Sequence, residues 1–224
     1  MSIPSAFEFM KKHLNNFCSA LKIIDFDDQA IFDPSRAQNC FNVTLTGNRN
    51  EMTPQLYQHL GSERYIIDIK KGRIEFDLNY SIRSLLNFHQ IAHITTNHGT
   101  SEHVFNQYCF FEVMHLVTKA CVYLFNVLNC QRCADENGYG HRFFLYQPKF
   151  LNLIAQDNNY GIIDIMYNLA SPSPAIRPYK LYEYSSLVLH KSWSSSPYPH
   201  FSSLLCLFRK SNYIDFVVPQ EYSI

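Results

Sequence analysis

The sequence predicts an α+β fold in which a central buried helix packs on a mostly antiparallel sheet and strands crowd the C-terminal half. Three observations carry that expectation. Apolar residues recur densely from Val104 to Leu128, the runs 142–147, 150–156 and 161–168 alternate apolar with polar positions, and the helical patterns gather ahead of the strands.

The elements follow from the N-terminus. Ser5 and Glu8 have capping-box spacing, and Phe7, Met10, Leu14, Phe17, Cys18 and Leu21 then repeat every three or four residues, which predicts an amphipathic helix over 5–23. Phe41, Val43 and Leu45 alternate with Asn42 and Thr44 before Gly47-Asn48, predicting a strand over 38–46. Thr53-Pro54 opens a short helix that Gly61 ends, and runs 65–70 and 73–79 flank Lys71-Gly72 as a hairpin. Ile82, Leu85, Leu86, His89 and Ile91 return to helical spacing. The element after Ser101 is apolar nearly all round, but Glu112, His115 and Lys119 at its centre argue for burial in protein rather than lipid. Further strands are predicted near 179–190, 200–209 and 213–218, and the Pro/Ser segment 170–178 reads as a surface loop or a minor boundary within a single domain, 1–224.

Composition narrows the function classes. The chain balances 19 Lys+Arg against 19 Asp+Glu, so it lacks the charge of a general nucleic-acid binder. With 46% hydrophobic and 17% charged residues it has the material for a core. Neither GxGxxG nor GxxxxGK[ST] occurs, which removes the familiar phosphate-binding loops. The chain is rich in Phe, Tyr, Asn and Ile and has only 7 Gly, the codon signature of an AT-rich genome such as many viruses and intracellular bacteria carry. Seven cysteines without regular spacing, and an amino terminus without a basic and apolar leader, point to a reducing cytoplasmic compartment.

Three constellations carry possible chemistry. Gly140-His141-Arg142-Phe143-Phe144-Leu145 runs into Asp157-Asn158-Asn159-Tyr160-Gly161, which sets a histidine and an acid on neighbouring segments. This piece, residues 138–161, resembles the His-to-Asp segment of the YopT-like papain-fold cysteine proteases, though the turn lacks their proline. The resemblance implies a thiol hydrolase with His141 as base, Asp157 as its orienter and Cys40, or alternatively Cys18, as nucleophile. Second, His93-Ile94-Thr95 and His200-Phe201-Ser202 each set a hydroxyl two residues after a histidine, similar to the two-histidine phosphoesterases, with His93 and His200 as the catalytic pair. Third, Cys130-Gln131-Arg132-Cys133 has the two-residue gap that lets both sulfurs reach one zinc ion, with His141 nearby; a second cysteine pair is missing.

No constellation is complete, so the leading expectation is a non-enzymatic accessory or effector protein of a virus or intracellular organism. It would act in the cytoplasm by binding a host protein, with no cofactor apart from zinc at Cys130 and Cys133 and no membrane span. The exposed edge strands of such a sheet also permit a homodimer.

Overall fold

A computed structural model of the chain describes residues 4–26, 31, 33–68, 74–84, 87, 89–129, 144, 146, 148–169, 180–183, 201–212 and 214–219. Its elements, in order, are α1 (Pro4–Lys12), α2 (Leu14–Cys18), β1 (Lys22–Phe26), α3 (Pro34–Phe41), α4 (Arg49–His59), β2 (Glu63–Asp68), β3 (Ile74–Glu75), a 3-10 turn, β4 (Ala92–His98), a second 3-10 turn, α5 (Gln107–Val117), β5 (Thr118–Asn129), α6 (Pro148–Asp157), β6 (Tyr160–Leu169), β7 (Lys180–Glu183) and β8 (Phe201–Lys210). The strands form one sheet in the order β3-β2-β1-β4-β5-β8-β6-β7. The four pairings from β3 to β5 are parallel and the three from β5 to β7 are antiparallel.

This corrects the expected fold class. The chain is α/β, not α+β with a mostly antiparallel sheet, because helices interleave with the parallel strands and cover both faces. Residues of α1, α3 and α4 pack on one face with Ile23, Ile94 and Leu207. Those of α5 and α6 pack on the other with Ile24, Phe26 and Leu124. Among the described residues, no helix is long and apolar enough to cross a membrane.

The differences from expectation have local causes. The helix predicted over 5–23 stops at Cys18, and Ile23, Ile24 and Phe26 form β1 instead. A strand buried on both faces shows a continuous apolar run rather than alternation, so it reads as the tail of a helix. The strand predicted over 38–46 begins within α3. Asp33 caps α3 by accepting the Arg36 amide at 3.0 Å, Pro34 fixes its first turn, and Asn42 ends it in the left-handed region at φ 52°. The expected hairpin about Lys71-Gly72 is a parallel pairing, Ile67 opposite Ile74 and Asp68 opposite Glu75; residues 69–73 lie outside those described.

The long central helix is two elements. Thr118 closes α5 by donating to the Met114 carbonyl at 2.6 Å, and the β-branched and aromatic residues that follow continue as β5. Lys210, buried on β8, supplies the remaining cap by donating to the carbonyls of His115 (2.6 Å) and Thr118 (2.8 Å). The middle run of the expected meander, 150–156, is α6: Pro148 takes the first helical turn, and Leu151, Ile154 and Ala155 bury one face. Of the strand expected over 213–218, the described residues 214–218 are irregular chain, whereas the run expected over 200–209 does hold a strand, β8, from Phe201 to Lys210.

Candidate functional site

In an open sheet of this kind, ligands bind outside the carboxyl ends of the strands where the strand order reverses. Here the chain runs outward from β1 to β2 and β3, then returns to β4 and β5, so the reversal lies between β1 and β4. The carboxyl ends there are Phe26 of β1, Asp68 of β2 and His98 of β4.

The turn after β4 is fixed by its own side chains. Asn97 accepts the amides of Thr100 (3.0 Å) and Ser101 (3.2 Å) and donates to the Ser101 hydroxyl (2.9 Å) and to Asn126 of β5 (3.2 Å). Thr100 donates to the Phe26 carbonyl at 2.7 Å, tying this turn to the last residue of β1. Gly99, at φ 88°, makes the reversal that a Cβ would strain.

Below the edge, Asp25 is 1% exposed and accepts from the Tyr57 hydroxyl (3.1 Å), the Thr96 hydroxyl and the Arg64 guanidinium. Burial, reinforced by Asp25, holds the Tyr57 phenol well above its ordinary range. His98 is buried beside this group, and desolvation pushes its imidazole down to about 3, so it stays neutral. A cavity of about 20 Å³ lies between Met10, Asp25, Tyr57 and His98, room for a single water and far short of a nucleoside. The chain leaves β1 through Asp27-Asp28-Gln29-Ala30, outside the described residues, and its first glycine is Gly47.

The residues singled out in the sequence do not assemble into a described site. Cys40 lies on α3 and packs against one face of the sheet, while Asp157 ends α6 on the other. Burial, with Glu8 next, raises the Cys40 thiol, the reverse of an activated nucleophile. Cys18 is exposed at the end of α2. His93 stands at the amino end of β4, the edge away from the crevice. His141, His200, Cys130 and Cys133 lie outside the described residues, and among those described no group of three His, Cys, Asp or Glu side chains could hold a metal.

Sequence reasoning missed Asp68 and the turn 97–102. The signal was two short apolar runs, Ile23-Ile24-Asp25-Phe26 and Tyr65-Ile66-Ile67-Asp68, the second ending on a carboxylate with helical sequence between them.

No protein-family model matches the chain, and no curated protein matches it. Solved structures do. A SAM-dependent methyltransferase from Archaeoglobus fulgidus aligns with a TM-score of 0.55 at 11% identity, over 92% of this chain and 93% of that one. Burkholderia thailandensis 1,6-didemethyltoxoflavin-N1-methyltransferase, solved with 1,6-didemethyltoxoflavin and S-adenosylhomocysteine, aligns at 0.50 and 10% identity over 93% and 77%. The MccD protein aligns at 0.50 and 10% identity over 92% and 96%. These matches span nearly the whole chain, and they overturn the local likeness of 138–161 to papain-fold proteases. With it go the thiol hydrolase and the two-histidine phosphoesterase. The non-enzymatic viral or host-binding effector, and the expectation of no cofactor, do not survive either: the fold is one that solved methyltransferases use, one of them with S-adenosylhomocysteine bound. The chain has the Rossmann-like α/β fold of SAM-dependent methyltransferases.

Proposed function

We propose that this chain is a group-transfer enzyme that takes S-adenosylmethionine at the carboxyl edge of β1, β2 and β4. The observation that carries the reading is the reversal of strand order between β1 and β4, with Asp68 ending the neighbouring β2. A carboxylate at that position suits the two hydroxyls of a ribose, which are donors in need of an acceptor. The donor set also fits the charge of the ligand. Asp27 and Asp28 follow β1 directly, where dinucleotide-binding folds use glycines to bring backbone amides against a pyrophosphate. Two carboxylates there oppose a phosphate and favour a ligand that carries a sulfonium and an ammonium. The cofactor supplies a methyl group on an electron-poor sulfur.

The protein's own part is to hold and orient. Asp68 takes the ribose, and the Asn97-centred turn keeps β4 at a fixed distance from β1. His98 is buried, and desolvation disfavours its imidazolium, so it is a weak base toward a proton from an acceptor substrate.

Thermal unfolding and calorimetric titration of the full chain with S-adenosylhomocysteine, S-adenosylmethionine and NAD test this. Both adenosyl ligands are expected to raise the melting temperature by mass action and NAD to leave it unchanged. Asp68→Asn is expected to weaken S-adenosylhomocysteine about tenfold or more, the usual effect of a lost charged hydrogen bond. No shift with either adenosyl ligand, or equal affinity in Asp68→Asn, overturns the reading.

A further inference from the structure

The amino ends of the central strands, at the opposite edge from the crevice, hold a conflict of hydrogen-bond donors. The Lys22 backbone N–H donates to His93 Nδ1 at 3.2 Å, and Lys119 Nζ lies 3.2 Å from His93 Nε2. An amide and an ammonium are both donors, while a neutral imidazole offers only one accepting nitrogen. With Nδ1 taken by the amide, Nε2 carries the hydrogen. Two donors, Nε2–H and the Lys119 ammonium, then converge on the same small volume with no acceptor between them. Protonating the ring adds a third positive charge to the cluster; burial, then Lys119 and Lys22, hold the His93 imidazole below its ordinary range.

Lys119 meets no carboxylate among the described residues. The Lys22 ammonium lies over the Tyr65 ring, 5.7 Å from its centre. Glu63 is the register partner of Lys22, but it stands on β2, across β1 from His93.

The backbone is built to present Lys119. Ala92 pairs with Thr118 and Ile94 with Tyr123, so residues 119–122 of β5 bulge opposite His93 alone. Cys121 within that bulge has φ 63°, a left-handed conformation that strains a non-glycine residue. Arg209 of β8 donates its Nε to the Cys121 carbonyl at 3.4 Å, which holds a guanidinium on the same bulge. Bulges of this kind re-aim side chains, and strained backbone of this kind gathers at functional sites.

We propose that the β4–β5 bulge is an oxyanion site that binds one phosphate-type group between the Lys119 ammonium and His93 Nε2–H. A phosphate oxygen accepts from both converging donors at once. The site shares no residue with the adenosyl crevice, so either assignment can fail without the other.

Proton NMR of the His93 ring, assigned by its loss in His93→Gln, tests this in inorganic phosphate, acetate and chloride at matched ionic strength. Phosphate is expected to raise the His93 titration midpoint by roughly 1 pH unit relative to chloride, as a close opposite charge does, and acetate by less. Lys119→Gln is expected to raise the midpoint in chloride, because a repelling charge is gone, and to abolish the further rise with phosphate; Lys119→Arg is expected to keep it. A midpoint that ignores phosphate, or one that responds equally in Lys119→Gln, overturns the site. An acetate effect as large as that of phosphate overturns the assignment to a phosphate-type ligand.

Discussion

Asp25 shows how one side chain holds the middle of the sheet. Its carboxylate sits on β1, and its partners come from β2 (Arg64), β4 (Thr96) and α4 (Tyr57), so three elements meet on one buried charge. Removing that charge takes the carboxylate away from a guanidinium that is itself only 5% exposed. Asp25→Ala is therefore expected to cost about 3–5 kcal/mol, and the apolar pair Asp25→Leu with Arg64→Met distinctly less, both read by urea unfolding at neutral pH. His115 makes a prediction of the same kind in pH. Its Nε2 donates to the Ile214 carbonyl (2.7 Å), its Nδ1 accepts from the Tyr160 hydroxyl (2.6 Å), and burial, then Lys210, pushes it from 6.5 down to about 4. Between those values the unfolded chain binds a proton that the folded chain refuses, so stability is whole above 6.5 and falls as the pH drops toward 4. His98, lowered to about 3 by burial, acts in the same direction. The unfolding free energy between pH 7 and pH 4 is expected to fall less steeply in His115→Gln than in the parent chain.

Single elements depend on their ends. Asn48 accepts the amides of Asn50 (3.0 Å) and Glu51 (3.2 Å), and the Glu51 carboxylate returns to the Asn48 amide at 2.8 Å, completing the capping box of α4. Gly47 precedes it at φ 90°, and a Cβ there would fall 2.1 Å from Glu51 Oε2. Gly47→Ala both strains the backbone and displaces the capping carboxylate, so a loss of roughly 1–2 kcal/mol is expected in thermal unfolding. Such end signals are also what made elements legible. A helix near Ser5, a helix that Gly61 follows and strand β8 can be read from periodicity, a breaker and alternation, but Thr53-Pro54 does not open its helix: α4 begins at Arg49 under the Asn48 cap and Pro54 lies inside it. What could not be read is the middle of the sheet. A strand covered on both faces has no polar side to mark its period, so β1 merged with the helix before it, and the apolar residues of β5 follow α5 without a breaker between them. Once those strands were lost, the interleaving that defines the fold was lost too, and with it the edge where Asp68 stands. Asp68 is one acidic residue among many in the sequence; only its place at the end of β2 distinguishes it.

Across the whole molecule, the last segment binds back over both helices of one layer. Asp215 meets Arg83 at 3.3 Å, the Phe216 ring lies 5.9 Å from those of Tyr108 and His115, and Asn158 grips Val217 through both its amide (2.8 Å) and its carbonyl (2.9 Å). Asn158→Ala removes both grips, so the Val217 amide is expected to exchange with solvent roughly tenfold faster while amides of β4 are unaffected. The strand order sets a longer-range condition. β8 is made from residues 201–210, yet it lies between β5 and β6, and β6 joins β5 and the strands beyond it through β8. A nascent chain emerging from the ribosome can pair β1, β2 and β4 early, but it holds β5 and β6 apart with bare edges until the final strand of the sheet has been translated. Synthesis that stops short of residue 201 leaves two sticky borders with no way to close them, a state suited to chaperones or to aggregation, whereas the finished chain seals both with one insertion.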